Sequence, residues 1–253
     1  MSKLWIYTNY DCNLKCAYCS VESSPAAPRR ALSLSSVRQL IDEAVALNFS
    51  EVFFTGGEPF ILDEIDDMLA YASAQLKAMV LTNAMLLKGK RLTRLVAIKN
   101  DNLIVQVSLD GAQPDQHDAF RGAGSFGKTV EGIQALLAHG FRVRVATTET
   151  SANSAHLAEV CEFHRALGIP EEEHLIRPLA RRGFSSAGME VGMATLAPEL
   201  TVNVDGVFWH PISTAGDMQV SKQIFPLAAA RDRVCEIADE IARTGTVPLI
   251  TFT

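Results

Sequence analysis

The sequence predicts an α/β protein, a partial (β/α)6 parallel barrel with a small C-terminal extension made of a hairpin and a helix. Six short β-rich runs, at residues 4–10, 51–55, 78–82, 102–109, 141–148 and 174–178, alternate with helical patterns. Strands separated by segments of this length run parallel, because parallel neighbours need a crossover connection. The length of 253 residues and the 48% hydrophobic content support one large α/β core with an appendage. The residues suited to chemistry fall just after strands, where parallel α/β folds place their sites.

Between the strands, Val37, Leu40, Ile41, Ala44 and Val45 share a helical face after a Ser-rich start. Val130, Ile133, Leu136 and Leu137 do the same before Gly140, which is placed to end that helix. A further helix is expected over 153–167, ending at Gly168. Beyond residue 179 the pattern changes. Arg181-Arg182-Gly183 opens a Gly/Ser/Ala-rich linker towards Met193, and runs at 200–204 and 207–210 flank Asp205-Gly206, a strong hairpin signal. A helix over 226–243 and a short strand over 247–252 complete the expectation. The barrel is therefore assigned to residues 1–180 and the extension to 181–253.

The net charge of −6 argues against a nucleic-acid partner, which needs clustered Lys and Arg to displace counterions. A peptide or small-molecule substrate fits better. No apolar run approaches the roughly 20 residues that span a bilayer, and no signal segment is evident, so a cytoplasmic protein without a membrane partner is expected. Of five cysteines, three lie within the first 19 residues, a distribution of metal ligands in a reducing compartment and not of a disulfide framework.

Those three form Cys12-Asn-Leu-Lys-Cys16-Ala-Tyr-Cys19, on a short loop after the first strand. Three thiolates so close hold three corners of a cubane iron–sulfur cluster and leave one iron open. The alternative, a structural zinc knuckle, requires a fourth protein ligand, and no His or further Cys lies nearby in sequence. Thr55-Gly56-Gly57-Glu58-Pro59 follows the second strand, with glycines that let backbone approach a ligand and a carboxylate able to accept from an ammonium. Thr82-Asn83 ends the third strand, Ser108-Leu-Asp110-Gly111 the fourth, and Phe120-Arg121-Gly122 follows. Asn83 is equally suited to capping the next turn, and Arg121 to a surface ion pair. Thr147 and Thr148 end the fifth strand, facing the cavity or merely forming strand.

Together these segments resemble the radical S-adenosylmethionine (SAM) superfamily, within it the subgroup of the molybdenum-cofactor precursor synthase and the SPASM-type peptide maturases. The resemblance covers roughly residues 4–180. It implies one [4Fe–4S] cluster on Cys12, Cys16 and Cys19, with Tyr18 as the aromatic residue of the cysteine motif. It implies SAM contacts from Gly56, Gly57 and Glu58 towards the methionine amino group and from Thr82 and Asn83 towards ribose or carboxylate. Ser108, Asp110 and Arg121 belong to the same set, and the backbone at Ile176 is expected to meet adenine. The implied activity is reductive cleavage of SAM to a 5′-deoxyadenosyl radical that abstracts hydrogen from an organic substrate, with an electron donor such as flavodoxin or ferredoxin. The substrate is a peptide in natural-product maturation or, alternatively, a nucleoside, sugar or other small metabolite. An inert SAM- or cluster-binding regulatory protein is a further alternative.

Relatives of this subgroup hold auxiliary clusters on extra cysteines after the barrel, one of them just after a hairpin. Here His210 stands at that place, and only Cys161 and Cys235 remain, both within helical patterns. A single cluster is expected. His210 is open to three roles, as metal ligand, substrate contact or hydrogen-bonded structural histidine.

Overall fold

The structure, a computed structural model, describes residues 2–244. Its first six strands are β1 (Lys3–Tyr7), β2 (Glu51–Thr55), β3 (Lys77–Thr82), β4 (Leu103–Ser108), β5 (Arg142–Glu149) and β6 (His174–Pro178). All pair in parallel with their sequence neighbours, as the strands of a partial (β/α)6 barrel do. The crossovers carry α1 (Leu34–Ala46), α2 (Ile65–Ser73), α3 (Gly89–Ala97), α4 (Pro114–Arg121), α5 (Ser125–Ala138) and α6 (Leu157–Ala166).

The chemistry of the ends explains the boundaries. Ser33 caps α1 by accepting from Ser36 N at 3.1 Å. Gly140 and Gly168, at φ of +69° and +95°, take the left-handed turns that follow α5 and α6. The helix expected from residue 153 begins as an α-helix only at Leu157, after a 3₁₀ turn at Ser154–His156. Asn153 is withdrawn from the helix because its side chain bonds Thr150 N, Thr148 O and Asp110 O. Strand β1 stops at Tyr7, short of residue 10, where Asn9 turns to bond the loop after β2.

The hairpin is present as β7 (Leu200–Asn203) and β8 (Gly206–Phe208), followed by β9 (Gln219–Ser221) and α7 (Leu227–Thr244). Its turn lies one residue earlier than expected, at Val204-Asp205, since the Asn203 side chain accepts from Asp205 N at 2.7 Å and fixes the reversal there. Strand β7 pairs in parallel with β1, so one nine-stranded sheet runs β6-β5-β4-β3-β2-β1-β7-β8-β9. The strand expected at 247–252 lies outside the described residues. No helix among those described is long and apolar enough to cross a membrane.

Two apolar layers follow from the two-residue period of the strands. Outward-facing Leu4, Ile6, Val52, Phe54, Ala78 and Val80 pack with the helices in the main core. Inward-facing Trp5, Phe53, Met79 and Ile104, consecutive partners across four strands, form a separate plug, with Trp5 and Phe53 stacked at 4.4 Å. Higher on the same inward faces, Tyr7, Thr55, Leu81 and Ser108 line a cavity at the C-terminal ends of the strands.

Three imidazoles are completely enclosed. Burial pushes His117 down to about 4 and His164 and His210 to about 3. A base held below its unfolded value contributes stability that is fully present above the unfolded value near 6.5 and is lost as pH falls towards the folded one. Buried Glu58 and Glu199, held above the usual carboxylate range by burial, act in the opposite direction. The unfolding free energy should therefore fall between pH 7 and pH 5, by about 2 kcal/mol per enclosed imidazole, lowering the urea midpoint with it, and His164→Phe should flatten the profile. A midpoint constant over that range contradicts neutral burial of these rings.

Candidate active site

The loop that leaves β1 is held from below by Asn9, whose side-chain nitrogen donates to Asp11 O at 2.8 Å, Asp11 Oδ1 at 2.9 Å and Glu58 O at 3.2 Å. Cys12 N bonds Ser24 O and Ala17 N bonds Phe120 O, so the loop is fastened at both ends of the cysteine motif. Cys12, Cys16 and Cys19 all line the cavity. Leu14 N donates to Cys12 Sγ at 3.4 Å and Ser23 N to Cys19 Sγ at 3.3 Å, contacts of the kind that tune metal-bound sulfur. Burial pushes the Cys12 thiol up to about 12 and Cys16 up to about 11, the latter against the pull of Arg121. Such thiols become thiolates only against a strong positive centre.

No group of three or more His, Cys, Asp or Glu among the described residues is arranged to hold a single metal ion. Cys12, Cys16 and Cys19 line a shared cavity, a donor set that fits a three-thiolate iron–sulfur cluster.

Gly56 and Gly57 lie on the cavity wall, but the backbone they approach is the chain's own. A Cβ on Gly56 would meet Asn9 O at 2.4 Å, and one on Gly57 would meet Asp11 O at 2.1 Å. Gly57 N and Glu58 N donate to Asn9 O and Asp11 O at 2.9 and 3.0 Å. The glycines therefore dock the stem of the cysteine loop as well as lining the cavity. Glu58 is buried and its carboxylate accepts from Phe60 N at 3.1 Å, Thr82 Oγ1 at 2.8 Å and Asn83 N at 2.9 Å. Three of its roughly four acceptor positions are thus taken within the protein, leaving room for one further donor. Asn83 accepts from Met85 N, as a turn cap does, and donates to Asn13 Oδ1 at 2.8 Å in the cysteine loop, so cap and site member coincide.

Arg121 is buried, not a surface residue. Its Nε donates to Asp110 Oδ2 at 2.6 Å, its guanidinium lies 5.4 Å from the Tyr18 ring centroid, and it lines the cavity beside Ser108. Asp110 is fully enclosed and is not among the lining residues. Tyr18 reaches both, through its ring and its hydroxyl on Asp110. On β6 Arg177 lines the cavity, joined by Pro178 at the strand's end, whereas the Ile176 side chain alternates with Arg177 to the other face and is 42% exposed. Thr148 lines the cavity, while Thr147 is enclosed and donates to Leu109 O.

His210 is fully buried and outside the lining; its Nδ1 accepts from Ile212 N at 3.0 Å, the bond of a structural histidine in its neutral form. Cys161 on α6 and Cys235 on α7 belong to opposite ends of the sheet, α6 leading into β6 and α7 packing on β7 and β9.

Several site members were not legible as such. Tyr7 and Arg177 follow from extending the inward parity of Trp5 and Leu175 by one period, a signal the sequence carries. Ile212 and Val21 come from irregular segments with no pattern to read. The Gly-rich linker also belongs to the site. Leu179 and Ala180 line the cavity, Phe184 N donates to Cys19 O at 3.1 Å, and a Cβ on Gly183 would meet Cys19 O at 2.2 Å.

The comparisons with known proteins agree with this arrangement. Over 162 residues the chain is 37% identical to the antilisterial bacteriocin subtilosin biosynthesis protein AlbA of Bacillus subtilis, covering 62% of this chain and 35% of AlbA. It is 30% identical over 159 residues to the AdoMet-dependent heme synthase of Methanosarcina barkeri, covering 62% of this chain and 45% of that protein. The chain thus spans less than half the length of these curated relatives. In fold it is similar to Streptococcus suis SuiB in its crystal structure bound to S-adenosylmethionine, with a TM-score of 0.62 at 19% identity, over 99% of this chain and 50% of that one. The model of the radical SAM superfamily, a family that implies a 4Fe–4S cluster and SAM, matches residues 6–151, more than half of the sequence, and the chain belongs to that superfamily.

Proposed function

We propose that this chain is a radical SAM enzyme whose Cys12, Cys16 and Cys19 hold its one [4Fe–4S] cluster and whose adjoining cavity receives SAM. The observation that carries the reading is the convergence on a single cavity of three thiols, Gly56–Glu58, Thr82, Asn83, Ser108 and Arg121 from the ends of successive strands. When bound, the cluster supplies one electron that breaks the C5′–S bond of SAM, giving methionine and a 5′-deoxyadenosyl radical that takes a hydrogen atom from substrate. The residues of this chain bind and orient. Glu58 offers its remaining acceptor position to the methionine ammonium, and Arg121 offers donors to the carboxylate. Trp5, Phe53, Met79 and Ile104 close the floor of the barrel, so the reactive species is kept from water on that side. The electron comes from a separate donor such as flavodoxin or ferredoxin.

The substrate is assigned to the peptide class. The supporting observation is the similarity to a protein named for biosynthesis of the bacteriocin subtilosin. A second reading, modification of a small metabolite, is favoured by the comparable similarity to a heme synthase. Finding a short precursor-peptide gene beside this one would support the first, and altered metabolites on gene deletion with no such gene would support the second.

Anaerobically reconstituted protein with SAM and a strong reductant should form 5′-deoxyadenosine without substrate, and should contain about 4 iron and 4 sulfide per chain. The single-cluster count rests on the separation of Cys161 and Cys235 and on the enclosure of His210. Near 8 iron per chain would overturn the count, and absence of both iron and 5′-deoxyadenosine would overturn the function.

A further inference from the structure

Asp110 holds an unusual position, since each of its polar atoms is bonded and the bonds lead to the cysteine loop, to α4, to β5 and to the turn beyond β5. Its N donates to His117 Nδ1 at 3.1 Å in α4, and its O accepts from Asn153 Nδ2 at 2.5 Å beyond β5. Oδ1 accepts from Thr148 N at 2.9 Å in β5. Oδ2 accepts both Arg121 Nε at 2.6 Å and the Tyr18 hydroxyl. The residue is 0% exposed, and Arg121 is 8% exposed. The resemblance groups Asp110 with residues that touch SAM; the geometry places it behind the cavity wall.

We infer that Asp110 is a positioning residue which couples the cysteine loop to the SAM-facing guanidinium of Arg121. The inference rests on the SAM site proposed above and adds a role to it. A carboxylate bound on one oxygen by two donors from different segments sets the distance between those segments. Here one donor is the aromatic residue between Cys16 and Cys19, the other the arginine at the end of α4. The Arg121 guanidinium also lies over the Tyr18 ring, so the three groups form a closed triangle with one face on the cavity. With Nε engaged by Asp110, the fork of Arg121 has a fixed plane, and its remaining nitrogens are presented to a carboxylate without loss of rotamer freedom on binding. Asp110 also supplies the counter-charge that makes a buried arginine tolerable, so the cavity gains a directed donor set at little electrostatic cost. On this account the residue acts on SAM only through Arg121, whose plane it fixes while the Tyr18 hydroxyl holds the shared carboxylate oxygen in place.

The test is a double-mutant cycle of Asp110→Asn and Arg121→Ala on reconstituted protein. It reads the SAM dissociation constant, the change that SAM causes in the electron paramagnetic resonance spectrum of the reduced cluster, and iron per chain. Each single variant should weaken SAM binding by about tenfold or more, the worth of one charge-assisted contact. The double variant should be no worse than Arg121→Ala alone within about twofold, because coupled residues do not add. Additive losses, or an Asp110→Asn affinity within twofold of the parent, overturn the inference. A parent protein that takes up iron but binds no SAM overturns the SAM site itself, a different outcome from either. If Asp110→Asn does not fold, Tyr18→Phe takes its place in the cycle. It keeps the ring and the ion pair and removes one donor from Oδ2. Its effect on SAM affinity should vanish in the Arg121→Ala background, and an effect that persists there overturns the inference equally.

Discussion

Replacement of Cys12, Cys16 or Cys19 by Ala, one at a time, will reduce 5′-deoxyadenosine formation to the uncatalysed background, and iron per chain will fall with it. The size of the effect follows from the ligand count. A cubane centre with three protein thiolates and one open iron has no spare ligand, and Cys161 and Cys235, on helices at opposite ends of the sheet, cannot move in to replace one. The loss will be a ligand loss and not a collapse of the fold, because the loop is held by main-chain bonds that the thiols do not make. Cys19 N to Cys16 O at 3.1 Å, Ala17 N to Phe120 O at 2.7 Å and Cys12 N to Ser24 O at 3.2 Å all survive truncation of the side chains. Circular dichroism should accordingly match the parent while the visible absorbance of the cluster is lost. Turnover undiminished in any one of the three variants would remove that cysteine from the ligand set and reopen the assignment of the cavity.

The parts of this site that were legible in the sequence are those whose chemistry is local. Three cysteines within eight residues of loop announce a metal centre without reference to the fold, and the hydrophobic period places the six strands to within a few residues. What was not legible depends on long-range contact. The short helices α2, α3 and α4 carry eight or nine residues each, too few for a periodic signal, and α3 buries only Leu95. Nothing near Asp110 in sequence indicates that its partners include Tyr18, Arg121, Thr148 and Asn153. The parallel pairing of β7 with β1, which extends the barrel sheet into the C-terminal hairpin, is likewise invisible in the pattern of either strand. The glycines were expected to let backbone approach a ligand, whereas the close approach seen at Gly56 and Gly57 is to the backbone of residues 9–11. That identity sets the consequence of changing them.

Gly57→Ala will lower iron per chain and 5′-deoxyadenosine formation together, by about two orders of magnitude in rate if the loop is displaced by the ångström that productive geometry does not tolerate. The left-handed conformation found at Gly56 does not apply at Gly57, so an Ala here is not opposed by backbone preference. The obstacle is space. An added Cβ would stand 2.1 Å from Asp11 O, 2.6 Å from Asp11 C and 2.7 Å from Tyr10 O, all main-chain atoms that have no rotamer to change. Relief requires the two backbones to separate by roughly 1 Å, which overpacks the site at a cost of about 1–3 kcal/mol and stretches the bonds from Gly57 N to Asn9 O and from Glu58 N to Asp11 O. Because Cys12 follows Asp11 directly, the first thiol moves with the stem, away from the positions of Cys16 and Cys19. Gly127→Ala serves as the control: no atom lies within 4 Å of the Cβ it would add, and the site is inside α5, where Ala is the better helix former by about 1 kcal/mol. That variant should keep its iron and its turnover, with a slightly raised Tm. If Gly57→Ala also keeps both, the docking of the second strand's turn on the loop stem does not set the position of the thiols, and Gly57 lines the cavity without holding it in shape.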